Sequence, residues 1–241
     1  MLVHGLAYDR FGWGRLPDLL AERFRVVLVD NRGVGESDVP EGPYTVAQLA
    51  EDVAVVLDDA GLERTSLLGV SLGGYVAQEL ALTRPGLIDR LVLCSTAPGG
   101  PKAVPMPQST QDVFARYPTM EREAGLRMFV ENSLGERGVR DVPGLADEIF
   151  AYRLRHAPTV AAWAAQAAAG AAFDAYDRLG GIAVPTLVIH GGSDVVVDPR
   201  NAELLGSLIP GARVEVVPDR GHLLVWEDSE RVAALVTEFL S

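Results

Sequence analysis

The chain holds a single cysteine, Cys94, in 241 residues, so no disulfide can form within it. Cys94 closes the apolar run Leu91–Leu93 and is expected to be a small buried hydrophobe. Positive charge is scarce: 21 Lys and Arg face 33 Asp and Glu, a formal net charge of −12. Nucleic acids and anionic membrane surfaces reward clustered Lys and Arg, so the balance argues against both as partners. No basic stretch precedes Met1-Leu2-Val3, so no leader peptide is visible. The longest apolar tract, near residues 160–173, is alanine-rich, contains Gln166 and is too short to span a bilayer. These absences point to a cytoplasmic location. A dinucleotide fingerprint is also missing: Gly33-Val34-Gly35 lacks its third glycine, and Asp38 stands in that place.

What is present is a repeating alternation. Apolar runs at Met1–Leu6, Phe24–Val29, Arg64–Val70, Arg90–Ser95, Thr186–His190 and Arg213–Val217 read as strands. Helical spacing separates them. Over Thr45–Ala60, Val46, Leu49, Val53 and Leu57 share one face, Thr45 with Gln48 forms a capping box, and Gly61 stops the helix. Ser229–Leu240 repeats the pattern with Val232, Leu235, Val236 and Phe239 inward. Continuous apolar strands alternating with amphipathic helices predict an α/β fold with a mostly parallel sheet covered on both faces. Residues 1–96 and 182–241 carry this rhythm. Residues 97–181 break it: after four prolines they read as helices only, near Gln108–Tyr117, Met120–Leu134, Pro143–His156 and Thr159–Phe173. An all-helical insertion between two strands is expected to form a lid.

The chemistry gathers at Gly69-Val70-Ser71-Leu72-Gly73. A strand that turns at once into a helix needs small flanking residues, and it lifts the central hydroxyl clear of the sheet. The helix N-terminus adds free N–H groups and positive potential at the same point. Ser71 is therefore the expected nucleophile. A serine needs a base, and the base needs an acid to fix its tautomer. Of the four histidines, only His222 follows the last strand in a glycine-containing loop, Asp219-Arg220-Gly221-His222. His4 and His190 read as structural, and His156 as the cap of a lid helix. Asp194, in the loop Gly191-Gly192-Ser193-Asp194, is the expected acid; Asp198, before Pro199, is the fallback. The oxyanion donors are expected to be the backbone N–H groups of Leu72 and Leu6. Phe129, Trp163 and Phe173 belong either to a pocket wall or to the core of the lid. The small side chains of residues 161–169 either leave room for an apolar substrate or pack closely.

The order Ser71, Asp194, His222 is that of α/β hydrolases. Together with His4-Gly5, the segment from Asp30 to Ser37, Gly69–Gly74, Gly192-Ser193-Asp194 and Gly221-His222, the chain resembles that superfamily over nearly all but the lid. The stretches from Gly42 to Leu49 and from Leu91 to Cys94 resemble 3-oxoadipate enol-lactonases in scaffold residues. The resemblance implies a serine hydrolase of small esters or lactones that needs no metal and no organic cofactor. The same scaffold serves cofactor-free haloperoxidases (perhydrolases), and a slow-turnover, receptor-like ligand binder is a third reading. One departure concerns the sheet. Such folds begin with an antiparallel hairpin, which is absent here. Strand 24–30 is then expected to be an exposed apolar edge, covered by further chain or by a second copy in a homo-oligomer.

Overall fold

The computed structural model describes residues 1–135, 140 and 142–241. Six strands form one parallel sheet: β1 Leu2–Val3, β2 Leu28–Val29, β3 Thr65–Val70, β4 Ile88–Cys94, β5 Thr186–Gly191 and β6 Arg213–Val217. Their order is β2-β1-β3-β4-β5-β6. The order reverses between β1 and β3, which lie side by side with Val3 opposite Gly69. In open sheets of this kind the crevice above such a reversal is where ligands bind. Here it brings the loop after β1 against the turn after β3.

Side chains alternate across the sheet and divide the interior in two. Leu67, Leu91, Leu93 and Val188 face one layer, with helices α2 Val46–Asp59 and α3 Leu72–Thr83. Leu68, Val92, Cys94 and Ile189 face the other, with α1 Leu16–Ala21 and α10 Ser229–Leu240. Cys94 is fully buried, and burial pushes its thiol up to about 12, as expected of an inert apolar filler. The predicted capping box at Thr45 and Gln48 is present with both bonds formed. Two further helices carry little sequence signal: α1, with Pro17 in its first turn, and the four-residue α9 Leu224–Glu227. Helix α8 Arg200–Leu208 opens directly after Pro199, a residue that favours helix starts.

The edge strand is shorter than the apolar run that suggests it. Only Leu28 and Val29 pair with β1, joined by a bond from the Leu2 N–H to the Val27 carbonyl, because β1 itself spans two residues. Phe24, Val26 and Leu28 are half-buried against one layer and Val27 against the other, so the segment is an edge but not bare.

Between β4 and β5 the regular elements are helical: α4 Gln108–Arg116, α5 Arg122–Ser133, α6 Leu145–His156 and α7 Val160–Ala171, with short 3₁₀ turns at Tyr117–Thr119 and Tyr176–Gly181. An isolated antiparallel bridge between Gly99 and Asp174 closes the excursion at its base. Thr159 caps α7 by accepting from the Ala162 N–H. Among the described residues, no helix is long and apolar enough to cross a membrane.

The close approach of α3 to the sheet sets the geometry of everything above it. A Cβ on Gly73 would lie 2.0 Å from the Val3 carbonyl oxygen, a contact that only movement of the helix or of β1 could relieve. Gly73→Ala is expected to cost about 3 kcal/mol of stability in urea unfolding, as overpacking against fixed backbone does. An unchanged midpoint would show that the approach is softer than it looks.

Candidate active site

Ser71 sits between β3 and α3 at φ 54° and ψ −117°, a conformation disfavoured for any residue with a Cβ. The sharp turn is possible because Gly69 and Gly73 flank it: a Cβ on Gly69 would lie 2.2 Å from the Gly73 carbonyl oxygen. Two bonds hold the turn from the β4 side. The Ser71 N–H donates to the Cys94 carbonyl at 3.0 Å, and the Thr96 hydroxyl donates to the Ser71 carbonyl at 2.8 Å.

His222 reaches the same place from the loop after β6. Its Nε2 lies 3.1 Å from the Ser71 Oγ, and its Nδ1 lies 2.8 Å from Asp194 Oδ2. With Asp194 ionised, the proton rests on Nδ1, and Nε2 is left to accept from the Ser71 hydroxyl. Asp194 is fully occupied as an acceptor. Its Oδ1 takes the N–H groups of Val196 at 2.8 Å and Val197 at 2.9 Å. His190 Nε2, which donates to the Val197 carbonyl at 3.0 Å, also stands 3.2 Å from Oδ2. Burial works to raise this carboxyl, but the charge and donors of His222 and His190 overcome it and hold Asp194 well below the ordinary carboxylate range. The fallback acid, Asp198, is elsewhere: it pairs with the Arg200 side chain and accepts the Arg200 N–H at the start of α8.

The loop after β1 runs against the turn, and a Cβ on Gly5 would lie 2.9 Å from the Ser71 Cβ. Among the described residues, neither the Leu6 N–H nor the Leu72 N–H is taken by an acceptor. Leu6 lines the space above Ser71 in both directions. His4 fixes the start of this loop by accepting from the Gly5 N–H at 2.7 Å and donating to the Gly12 carbonyl at 2.7 Å. Burial pulls its imidazole down to about 3, so it is neutral, as a structural histidine should be. His156, at the end of α6, binds Asp9 at 2.8 Å.

Two cavity lobes meet at Ser71. The larger, about 480 Å³, is walled by Leu72, Tyr75, Met106, Phe114, Gly170 and Val197. The smaller, about 80 Å³, is aromatic, with Tyr8, Phe114, Tyr117, Phe129 and Trp163, and it includes Arg153 and His222. Phe129 and Trp163 thus stand at the site, their ring centroids 6.2 Å apart. Phe173 does not. It is buried and stacks on Tyr75 at 4.7 Å, behind the cavity wall, because the chain turns inward as α7 ends. A groove of about 270 Å³ at the opposite strand ends shares no residue with either lobe. Among the described residues, no group of three His, Cys, Asp or Glu side chains could hold a metal ion.

Two side chains at the site escape sequence reasoning. Arg153 of α6 is buried, lies 4.4 Å over the face of Tyr8, and donates to the Ala7 carbonyl. Gln166 of α7 is fully buried and accepts from the Ala7 N–H. The one visible signal is that Gln166 is the single amide in an alanine-rich helix.

A family model described as alpha/beta hydrolase fold matches residues 1–229. The chain belongs to that family. It is 32% identical over 261 residues to the 2-hydroxy-6-oxononadienedioate/2-hydroxy-6-oxononatrienedioate hydrolase 2 of Pseudomonas putida, covering 100% of this chain and 86% of that protein. Among solved structures it resembles a thermophilic esterase from Thermogutta terrifontis, with a TM-score of 0.86, 32% identity and coverage of 99% and 88%. The enol-lactonase of Burkholderia xenovorans LB400 is similar too, with a TM-score of 0.87, 28% identity and coverage of 99% and 89%.

Glu227 stands behind the His222 loop. Its carboxylate accepts from the Gly221 N–H at 2.9 Å and from the Gly135 N–H at 3.3 Å. Burial pushes it up from an ordinary 4.5 to about 7; the two amides and Arg220 oppose the rise, and Asp194 adds to it. The folded chain therefore holds this proton more tightly than the unfolded one. The stability it contributes is present in acid and is lost as pH rises through about 7. Glu227→Gln removes that titration. The variant is expected to gain on the wild type between pH 5 and pH 8, by up to about 3 kcal/mol in urea unfolding. A stability difference equal at the two pH values would contradict this.

Proposed function

We propose that this protein is a serine hydrolase that cleaves carboxylic esters or lactones of small, mostly apolar substrates through an acyl-enzyme. The observation that carries the reading is the relay from Ser71 through His222 to Asp194, with two unengaged N–H groups beside the hydroxyl. Ser71 Oγ attacks the carbonyl carbon while His222 Nε2 takes its proton. The Leu6 and Leu72 N–H groups receive the oxyanion. The tetrahedral intermediate collapses, His222 returns the proton to the leaving alkoxide, and the acyl group stays on Ser71. Water then attacks by the same path in reverse. Asp194 keeps the proton on Nδ1 and stabilises the imidazolium. Each oxyanion donor is worth about 3 kcal/mol in the transition state, a large share of the effect asked of the site.

The larger lobe, walled by leucine, tyrosine, methionine and small residues of α7, suits an apolar acyl or alcohol chain. Esterase and enol-lactonase relatives agree with ester or lactone chemistry. A second reading concerns the smaller lobe. The buried Arg153 guanidinium has no carboxylate partner among the described residues, a costly state unless an anion completes it. A substrate that carries a carboxylate on that side would do so, as a dienedioate substrate of the P. putida relative suggests.

Ser71→Ala is expected to lower kcat on p-nitrophenyl acetate by about 10⁶-fold with the fold intact, the scale of a lost triad nucleophile. Retention of most activity would refute the assignment. For the second reading, the wild type should hydrolyse the monomethyl ester of a dicarboxylic acid better than its dimethyl ester. Arg153→Met should erase about 10- to 100-fold of that preference, the worth of one charged hydrogen bond. A preference that survives the substitution would leave Arg153 without that role.

A further inference from the structure

Ala7 follows the Leu6 N–H in the loop after β1, and it lies at φ 64°, in the left-handed region that alanine avoids. Both polar groups of its backbone are held by lid side chains. Its N–H donates to Gln166 Oε1 of α7 at 2.8 Å, and its carbonyl accepts from Arg153 of α6. Both side chains are buried. The Gln166 amide cannot turn over, because its Nε2 donates at 2.8 Å to the carbonyl of Arg32 in the neighbouring loop. The peptides on either side of the Leu6 N–H are therefore fixed. The Gly5 N–H is tied to His4 Nδ1 at 2.7 Å, and the Ala7 N–H is tied to the lid.

We propose that Gln166, assisted by Arg153, is a positioning residue through which the lid holds the oxyanion loop in its working shape. This rests on the serine hydrolase reading. The lid is then more than a cover: it supplies the bonds that keep the Leu6 N–H aimed above Ser71. Without Gln166 the Ala7 N–H is a buried donor with no acceptor, and the loop is expected to leave its left-handed conformation to find one. Gln166 is the residue to change, because Arg153 is the charged group that the second reading gives to a substrate carboxylate, whereas Gln166 borders the larger, apolar lobe.

The test uses the full chain, p-nitrophenyl acetate, and an alkyl trifluoromethyl ketone, which adds to the serine and places an oxyanion in the hole. Gln166→Met, similar in length and without hydrogen bonds, should lower kcat by about 10- to 100-fold with KM changed less than about 3-fold, a partial loss of one oxyanion donor. Affinity for the ketone should fall by the same factor as kcat/KM. A ketone affinity equal to that of the wild type overturns the proposal. Gln166→Glu guards against a Gln166→Met variant that does not fold. Only the protonated carboxyl can accept from Ala7 and also donate to Arg32, so the activity of this variant relative to wild type should fall as pH rises. A flat ratio overturns the proposal. Labelling of wild-type Ser71 by a fluorophosphonate separates the two claims. If Ser71 is not labelled, the hydrolase reading fails; if it is labelled and both variants behave as wild type, only the role of the lid fails.

Discussion

The hydrogen bond between the Ser71 hydroxyl and His222 Nε2 joins residues 151 positions apart, and the rest of the site has meaning only if it forms. Its length of 3.1 Å is the sum of many placements. The turn at Ser71 is strained and is held by glycines on both sides and by bonds to Cys94 and Thr96. Strain of this kind costs about 1–3 kcal/mol and persists where the surroundings over-determine it. The His222 loop is held in turn by Ser133 of the lid, whose carbonyl accepts the His222 N–H at 2.8 Å, and by Glu227 beneath it.

A parallel sheet explains why such distant residues meet. Every strand of the sheet points the same way, so the loops after β1, β3, β5 and β6 all emerge at one rim. Those four loops supply Leu6, Ser71, Asp194 and His222. The helical insertion between β4 and β5 touches three of them: Gln166 and Arg153 reach the β1 loop, Ser133 the β6 loop, and Thr110 the β5 loop through the Val195 carbonyl. The sheet sets the coordinates of the proposed chemistry, and the helices between β4 and β5 wall the cavity above it.

Much of this was legible in the residues. Ser71, Asp194 and His222 each follow an apolar run and lie within two residues of a glycine, a local signature that needs no knowledge of distant contacts. The ends of β6 and α10 could be read to the residue. Other features were hidden for physical reasons. Helix α1 is six residues with a proline in its first turn, too short to display a period. The lid helices show where their apolar faces are but not which face looks at Ser71. By sequence pattern Phe173 is therefore as good a lining residue as Trp163, although one stacks on Tyr75 and the other faces the smaller lobe. Arg153 lies in the last turn of α6, where any cation is favoured by the helix dipole, so its burial over Tyr8 left no trace in the sequence.

The measurement that bears most directly on the central claim is the capture of the covalent intermediate. The wild-type chain is mixed with a p-nitrophenyl ester, stopped with acid within a turnover, digested, and its peptides weighed. An acyl adduct confined to the peptide that carries Ser71, formed as fast as the first equivalent of nitrophenol appears, is the expected result. Nitrophenol release with no acylated peptide, or with the acyl group on another residue, would contradict the account.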